Sequence, residues 1–147
     1  MIDEKIIFKP INIAILTISD TRDKDNDKSG TYLSKAIDEK GHYCAYHEVI
    51  KDDPHQIINN VKELSFKKEI DVIITTGGTG LTGRDNTIDC IKSISEIEIP
   101  GFGELFRQIS FQKIGTSAIQ SRSSSFLVNK TYVFCLPGSK SAVQDAW

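Results

Sequence analysis

The run of residues 11–19 (INIAILTIS), almost continuously apolar and rich in β-branched side chains, most constrains what this chain can fold into. A strand with one face in water alternates apolar and polar residues, whereas a continuous run indicates burial on both faces, as in a parallel sheet. Further strands are predicted over residues 43–50, 71–75, 126–128 and 131–136. Because helical patterns separate most of them, the sequence predicts an α/β fold: a three-layer α/β/α, Rossmann-like domain around a mostly parallel sheet.

Residues typical of helix ends mark the predicted helices. Ser29-Gly30 opens the first helix, and Asp53 is an N-cap for the second, with Pro54 at its first position. Further helices are predicted at about residues 87–94, after Glu104, and after residues 137–139. With no linker and no repeat, residues 1–147 are predicted to form one domain. The last helix is cut short at Trp147, so we expect a trimmed or incomplete C-terminus.

A glycine-rich segment follows the third predicted strand and is the main candidate for a binding site. Residues 77–83 (GGTGLTG) contain four glycines, and Arg84-Asp85 and a helical pattern come next. Glycine admits positive φ angles and lets backbone N–H groups approach an anion with no Cβ in the way. The segment lacks the GK[ST] ending of a P-loop and the spacing of G-x-G-x-x-G, and a tight structural turn is the alternative. We favour phosphate binding because a plain strand-to-helix turn seldom needs so many glycines.

Two aspartates lie at predicted carboxyl ends of strands, where parallel sheets bind their ligands. Asp85 follows the glycines, where either it or Asn86 could cap the next helix, or the carboxylate could contact a bound Mg²⁺. Asp52 closes the second strand beside Asp53. Since the spacing assigns the helix cap to Asp53, Asp52 is left either solvated or facing a site.

Three other charged residues carry weaker signals. Asp20 and Asp27 flank the polar loop after the first strand, and loop carboxylates are more often solvated than functional. Arg122 lies in a Ser-rich stretch, where its fork of donors could bind phosphate or simply face water.

The composition excludes several classes of function. A net charge of −2 argues against general nucleic-acid binding, which usually requires a basic domain. The cysteines, Cys44, Cys90 and Cys135, have no metal-ligand spacing, and buried free thiols are predicted for Cys44 and Cys135. The sequence shows no secretory pattern and no run long enough to span a bilayer. We therefore expect a cytoplasmic protein with no membrane or nucleic-acid partner.

The chain resembles the MoaB/Mog family of molybdenum-cofactor biosynthesis proteins from residue 11 to residue 147. The motifs that carry the resemblance are TGGTG at 76–80 with Arg84-Asp85, PGFGE at 100–104, Ser121-Arg122, LPGS at 136–139, and Ser19-Asp20 with a later DKSG at 27–30. Several motifs in this order and at fitting separations are highly specific. The segment 114–122 (IGTSAIQSR) is closer to the MoaB branch than to the Mog branch.

The resemblance implies a molybdopterin-binding domain that assembles as a trimer or as a hexamer and works beside other proteins of the pathway. In active members, Mg²⁺-ATP and molybdopterin give adenylylated molybdopterin and pyrophosphate. The family's two key aspartates map onto Asp52 and Asp85, which would be catalytic and would hold Mg²⁺. By the same resemblance, the phosphate, pterin and nucleotide pockets would be lined by Ser19, Asp20, Gly77, Gly78, Thr79, Gly80, Glu104, Ser121, Arg122, Pro137, Gly138 and Ser139.

The chain departs from the family pattern at two places. Asn86-Thr87-Ile88-Asp89 replaces a common VTPE, and Lys51 precedes Asp52 where Mog-type members commonly carry Pro. Retention of both aspartates favours a molybdopterin adenylyltransferase. The MoaB-like segment and Lys51 favour a protein that binds molybdopterin without chemistry.

Overall fold

The computed structural model describes residues 3–147, and its architecture is the predicted α/β/α domain. The strands are β1 (Asn12–Ile18), β2 (Tyr43–Ile50), β3 (Val72–Thr76), β4 (Ile97–Ile99), β5 (Ser124–Val128) and β6 (Thr131–Leu136). The helices are α1 (Lys28–Glu39), α2 (Pro54–Phe66), α3 (Thr87–Ile94), α4 (Pro100–Ile114) and α5 (Lys140–Ala146). A 3₁₀ helix, Gly115–Gln120, leads from α4 towards β5.

All six strands form one sheet in the order β2-β1-β3-β6-β5-β4. Strands β2, β1, β3 and β6 pair in parallel, and β5 pairs antiparallel with both of its neighbours, β6 and β4. From β1 the chain passes to the β2 edge and then returns to the other side of β1 as β3, so the direction in which strands are added reverses there. The carboxyl ends of β1 and β3 flank this reversal, which is where open α/β sheets bind ligands.

Strand β1 is buried on both faces, as its continuous apolarity predicts. Ala14 and Leu16 belong to a core cluster formed with α2 and α3, whereas Ile13 and Ile15 belong to a second cluster formed with α1 and α5. The helical side chains of these two clusters include Ile57, Val61 and Ile91 on the first face, and Leu33, Ile37 and Val143 on the second. The two clusters are the interfaces between the three layers.

Side-chain caps account for the start of three helices. Asp53 accepts a hydrogen bond from the Gln56 N–H at 3.0 Å, which confirms its predicted role at the start of α2. Asp27 caps α1 by accepting from the Gly30 N–H at 2.9 Å, so that helix begins at Lys28, one residue before the predicted Ser29-Gly30. Ser139 caps α5. Each cap satisfies an N–H group that the helix itself leaves without a partner.

Strand β4 and helix α4 differ most from the prediction, and β5 begins at Ser124, two residues before its predicted start. Strand β4 was not predicted, because its three residues are too few to show a periodicity. Helix α4 begins at Pro100 rather than after Glu104, since Pro suits the first helical position. Gly103 is also required inside this helix, because a Cβ there would lie 2.1 Å from the carbonyl oxygen of Ser123.

Helix α4 exposes much of its apolar side. Its apolar residues include Leu105, Phe106, Ile109 and Ile114, and of these four only Phe106 is buried in the core. Leu105 is 64% exposed and Ile109 is 48% exposed. We call these two side chains the apolar α4 surface.

The three cysteines are free thiols. Cys135 is buried, as predicted, and burial raises the pKa of its thiol to about 12, so it stays protonated at neutral pH. Cys44 is only half-buried, because β2 is an edge strand of the sheet. Within residues 3–147, no helix has the length and apolarity needed to cross a membrane.

Candidate functional site

A cavity of about 510 Å³ lies at the carboxyl ends of β1, β2, β3 and β6, beside the reversal of strand order. Its walls come from residues 18–22, from Asp52, from the loop after β3, from residues 120–121 and from residues 137–138. The predicted site residues that line it are Ser19, Asp20, Asp52, Gly77, Gly78, Thr79, Gly80, Asp85, Ser121, Pro137 and Gly138. Segments distant in sequence thus meet at one place, which the parallel sheet requires.

The loop after β3 needs glycine for both conformation and space. Gly77 and Gly78 have φ angles of 105° and 68°, a region that residues with a Cβ rarely adopt. A Cβ on Gly77 would also lie 2.2 Å from the carbonyl oxygen of Ile18. Thr87, the first residue of α3, donates its hydroxyl to the Gly77 carbonyl at 2.9 Å and its N–H to the Gly78 carbonyl at 3.1 Å. Because α3 holds both carbonyl oxygens, the loop cannot readily turn them towards an anion.

Asp52 faces the cavity, which decides between the two positions that the sequence left open. It is 8% exposed, and its Oδ1 accepts hydrogen bonds from the N–H (3.3 Å) and side-chain amide (3.1 Å) of Asn86. Burial raises the pKa of Asp52, and the charges of Asp20 and Asp85 raise it further. A buried carboxylate with a raised pKa inside a cleft is a feature of functional sites.

Asp85 lines the cavity but does not cap α3. Its Oδ2 accepts from the Thr82 N–H at 2.9 Å and from the Thr82 hydroxyl at 2.8 Å, so it closes the end of the glycine loop. The helix cap position belongs to Asn86, whose side chain makes no capping bond. Partial burial acts to raise the pKa of Asp85, but these bonds, the Gly80 N–H and the charge of Arg122 outweigh it and hold that pKa below its ordinary value.

Two arginines that sequence reasoning did not select line the same cavity. Arg22 donates from Nη1 to the carbonyl oxygen of Gly138 at 2.8 Å. Arg84 donates from Nε to Oδ2 of Asp20 at 3.1 Å and also pairs with it through Nη2, which lowers the pKa of Asp20. The sequence signal for Arg22 is only its position two residues after Asp20, whereas Arg84 belongs to the Arg84-Asp85 motif that carries the family resemblance.

Three predicted site residues, Glu104, Arg122 and Ser139, are not among those that line the cavity. Arg122 donates from Nε to the Gly80 carbonyl and from Nη2 to the Asp85 carbonyl, both at 2.8 Å, and from Nη1 to Asp89 at 2.9 Å. Its guanidinium group therefore stabilises the glycine loop through hydrogen bonds to backbone carbonyl oxygens and does not line the cavity. Ser139 caps α5, and Glu104 is exposed on α4.

Asp27 lies outside the cavity, in a buried polar cluster that supports one wall. It is 1% exposed, and its Oδ2 accepts from the Thr17 hydroxyl at 2.5 Å and lies 2.9 Å from Nε2 of His47. Burial acts to raise the pKa of Asp27, but the bonds from His47, Thr17 and Gly30 together lower it. We call these four residues the Asp27 cluster. Next to it, Ser29 donates to the Gly138 carbonyl at 2.7 Å, which fixes α1 to the cavity wall.

The donor set of the cavity fits Mg²⁺ bound through a substrate. Among the residues that the structure describes, no three His, Cys, Asp or Glu side chains are grouped to hold a metal. Mg²⁺ usually keeps several waters and takes one or two carboxylates together with substrate phosphates. Asp52 and Asp85 provide that number of carboxylates, and a cation would offset the repulsion that raises the pKa of Asp52.

Comparison with known proteins assigns the family. Residues 14–147 match the family described as "Probable molybdopterin binding domain". Over 140 residues the chain is 39% identical to "Molybdenum cofactor biosynthesis protein B" of Escherichia coli K12, an alignment that covers 95% of this chain and 82% of the relative. The chain belongs to the MoaB-type molybdenum-cofactor biosynthesis proteins. A Bacillus cereus MoaB-type relative of the same name is 43% identical over 139 residues, covering 94% of this chain and 82% of the relative.

Solved structures of MoaB-type proteins have the same fold. The crystal structure of a "Molybdenum cofactor biosynthesis protein B" superposes with a TM-score of 0.90 at 43% identity, covering 94% of this chain and 86% of that one. The "tungsten cofactor synthesizing protein MoaB from Pyrococcus furiosus" superposes with a TM-score of 0.85 at 32% identity, covering 95% and 89%. The family resemblance and the α/β/α architecture predicted from the sequence are thereby confirmed.

Proposed function

We propose that this MoaB-type protein adenylylates molybdopterin with Mg²⁺-ATP and releases pyrophosphate. The observation that carries the proposal is Asp52, a buried carboxylate that faces a cavity and packs against the glycine loop. An added Cβ on Gly78 would lie 3.0 Å from its Oδ2. Asp52 has no capping role, because Asp53 caps α2. A charge kept in so unfavourable a place is typical of a catalytic position.

In the proposed reaction, the terminal phosphate of molybdopterin attacks the α-phosphorus of ATP. A new P–O bond forms, the bond from the α-phosphorus to its bridging oxygen breaks, and pyrophosphate leaves. Positioning and charge neutralisation dominate such transfers, and the protein forms no covalent bond of its own. The N–H groups of Gly78 and Thr79 would bind phosphate oxygens, because those of Gly77 and Gly80 already donate to the Leu136 carbonyl and to Asp85. Asp52 and Asp85 would hold Mg²⁺. Bound there, Mg²⁺ would neutralise phosphate charge.

The rest of the cavity wall would position the two substrates. Gly138 is fixed from two sides, because Arg22 and Ser29 both donate to its carbonyl oxygen. Ser19 accepts from the Arg22 N–H at 3.1 Å, which shapes the turn after β1. Ser121 and Pro137 complete the wall near Gly138. We assign these residues to the pterin and nucleotide pockets.

A second candidate function is molybdopterin binding without catalysis, with the ligand passed to other proteins of the pathway. The observation that favours it is Asp85, whose hydrogen bonds with Thr82 explain its presence without a metal. Under this alternative, Asp85 only shapes the glycine loop, and the cavity is an anion-binding site.

The deciding experiment measures pyrophosphate release by the purified protein with Mg²⁺-ATP, with and without molybdopterin. We expect release that requires both Mg²⁺ and the pterin. Asp85→Asn should then abolish turnover while pterin binding, measured by titration, stays largely intact. If the wild-type protein shows no turnover but measurable pterin binding, the second candidate is established. If it shows no turnover and no pterin binding, both candidates are excluded.

We further propose that the chain forms a homo-oligomer, a trimer or a hexamer, through the apolar α4 surface. Exposed apolar side chains grouped on one helix are typical of association surfaces. Leu105→Glu is expected to shift the sedimenting species to the monomer, because the added charge would have to lose its water in the interface. Asn59→Glu adds the same charge to the exposed side of α2 and should leave the assembly unchanged. A wild-type protein that sediments as a monomer would contradict the proposal.

A further inference from the structure

The two arginines of the cavity differ in what their guanidinium groups contact. Within residues 3–147, the cavity is lined by Arg22 and Arg84 and by no lysine or histidine. Arg22 is bonded to the backbone of a cavity wall at Gly138. Arg84 has a side chain that is 72% exposed, and its hydrogen-bond acceptor there is the carboxylate of Asp20. Arg84 is therefore the cation that can reach an anionic ligand without breaking the wall.

The Arg84–Asp20 ion pair contributes little to the stability of the fold. Both side chains are accessible to water, at 72% and 33%, and water screens the attraction between exposed charges. A Cβ on Gly83, the residue before Arg84, would meet no atom within 4 Å, so the loop has open space beside it. The pair joins the segment after β1 to the loop after β3, which are two walls of the cavity.

Asp20 connects this pair to Asp52. Oδ1 of Asp20 accepts a hydrogen bond from the Asp52 N–H at 3.2 Å, while Oδ2 pairs with Arg84. A phosphate oxygen that replaced Asp20 on Arg84 would leave the Asp20 carboxylate without its paired guanidinium, next to Asp52. The remaining cation nearby is Lys51, which donates to the Asp20 carbonyl oxygen at 2.8 Å. Two nearby carboxylates repel one another and together attract a divalent cation more strongly than one. Phosphate binding and Mg²⁺ binding would therefore favour each other.

We propose that Arg84 exchanges the carboxylate of Asp20 for a phosphate oxygen of the bound nucleotide, so that Asp20 competes with phosphate for Arg84. The ligand chemistry is a phosphate group, because the planar fork of arginine binds phosphate oxygens in pairs. Its identification as ATP rests on the proposed function. Arg84 would thus select ligands whose negative charge is high enough to displace a carboxylate.

The experiment is a calorimetric titration of the full chain with inorganic pyrophosphate in the absence of Mg²⁺. Arg84→Ala should weaken the affinity by about tenfold through loss of a charge-assisted contact. Asp20→Asn should strengthen it several-fold, since Asn does not hold the guanidinium but can still accept from the Asp52 N–H. In the double variant, the gain from Asp20→Asn should disappear, because Arg84 is no longer there to be released.

The chain provides a matched control for the loss of an exposed ion pair. Lys92 and Glu98 pair at 2.9 Å with side-chain exposures of 61% and 35%, close to those of Arg84 and Asp20, and neither residue lines the cavity. Lys92→Ala removes the same charge and should leave the affinity for pyrophosphate unchanged.

Any of three results would contradict the proposed exchange of Asp20 for phosphate on Arg84. It is wrong if the wild-type protein does not bind pyrophosphate, if Arg84→Ala binds it as the wild type does, or if Asp20→Asn strengthens binding equally without Arg84. The proposed function fails separately: the binding pattern above with no pyrophosphate release from ATP and molybdopterin would support the exchange alone. Turnover with an unchanged KM for ATP in Arg84→Ala would support the adenylyltransferase alone.

Discussion

Asp52→Asn is expected to reduce pyrophosphate release by about a hundredfold or more without destabilising the protein. Asn keeps the shape of the side chain and can still accept the two hydrogen bonds from Asn86. It lacks the negative charge of the carboxylates through which proteins usually bind Mg²⁺. A steady-state assay of pyrophosphate release gives the turnover, and urea unfolding gives the free energy of unfolding.

The pH dependence of stability separates this residue from a structural aspartate. Burial raises the pKa of Asp52 in the folded protein, so the folded state binds its proton more tightly than the unfolded state does. The stability contributed by this group is therefore full below the unfolded pKa, about 3.9, and is lost as the pH rises through the folded pKa. At pH 7, Asp52→Asn should be as stable as the wild type or more stable, and this advantage should vanish at acidic pH.

Asp53→Asn is the matched control, because it removes the same charge one residue away. Asn is as good an N-cap as Asp, so α2 and the free energy of unfolding should change little. Turnover should stay close to that of the wild type. Full activity in Asp52→Asn, or an equal loss in Asp53→Asn, would contradict the role given to Asp52.

Gly30→Ala should cost about 3–5 kcal/mol of folding free energy, a large share of the stability of a domain this size. A Cβ there would lie 2.2 Å from Oδ2 of Asp27, 2.3 Å from Nε2 of His47 and 2.8 Å from Oγ1 of Thr17. Oδ2 of Asp27 is hydrogen-bonded to both of the other atoms, and Asp27 and Thr17 are buried, so the new methyl group would break a charged hydrogen-bonded cluster. Helix propensity alone predicts the opposite sign, since Ala is favoured over Gly by about 1 kcal/mol.

Gly101→Ala tests whether the loss of stability in Gly30→Ala comes from the surroundings of Gly30 or from replacing any helical glycine with alanine. Gly101 lies in the first turn of α4, and a Cβ there would meet no atom within 4 Å. This substitution should be neutral or slightly stabilising in the same urea titration. Equal unfolding midpoints for the Gly30 and Gly101 variants would show that the Asp27 cluster can open to admit a methyl group.

The layers of this fold could be predicted because burial on both faces leaves a direct trace in the sequence. Residues 11–19 are apolar at nearly every position since both faces of β1 pack against helices. The N-cap Asp53 could also be predicted from the sequence, because a cap depends only on residues a few positions away. Strand β4 left no such trace, since it is defined by backbone pairing with β5 over three residues.

The direction of side chains could not be predicted in the same way. Arg122 directly follows Ser121, which lines the cavity, yet its own side chain does not line it. Its guanidinium donates instead to the carbonyl oxygens of Gly80 and Asp85, some forty residues earlier in the chain. Arg84 does face the cavity, because its partner Asp20 lies across it at the end of another strand. The direction of each arginine side chain is determined by packing between segments distant in sequence, which local sequence patterns do not encode.

The position of β6 in the middle of the sheet has a consequence for synthesis of the chain. Strand β3 pairs on one side with β1, which precedes it, and on the other with β6, which is made only after α3, β4, α4 and β5. During translation, the N-terminal part of the chain therefore exists with one edge of an apolar strand unpaired. Unpaired apolar edges are where chains join to one another, so the nascent protein is most prone to aggregate in the interval before residues 131–136 leave the ribosome.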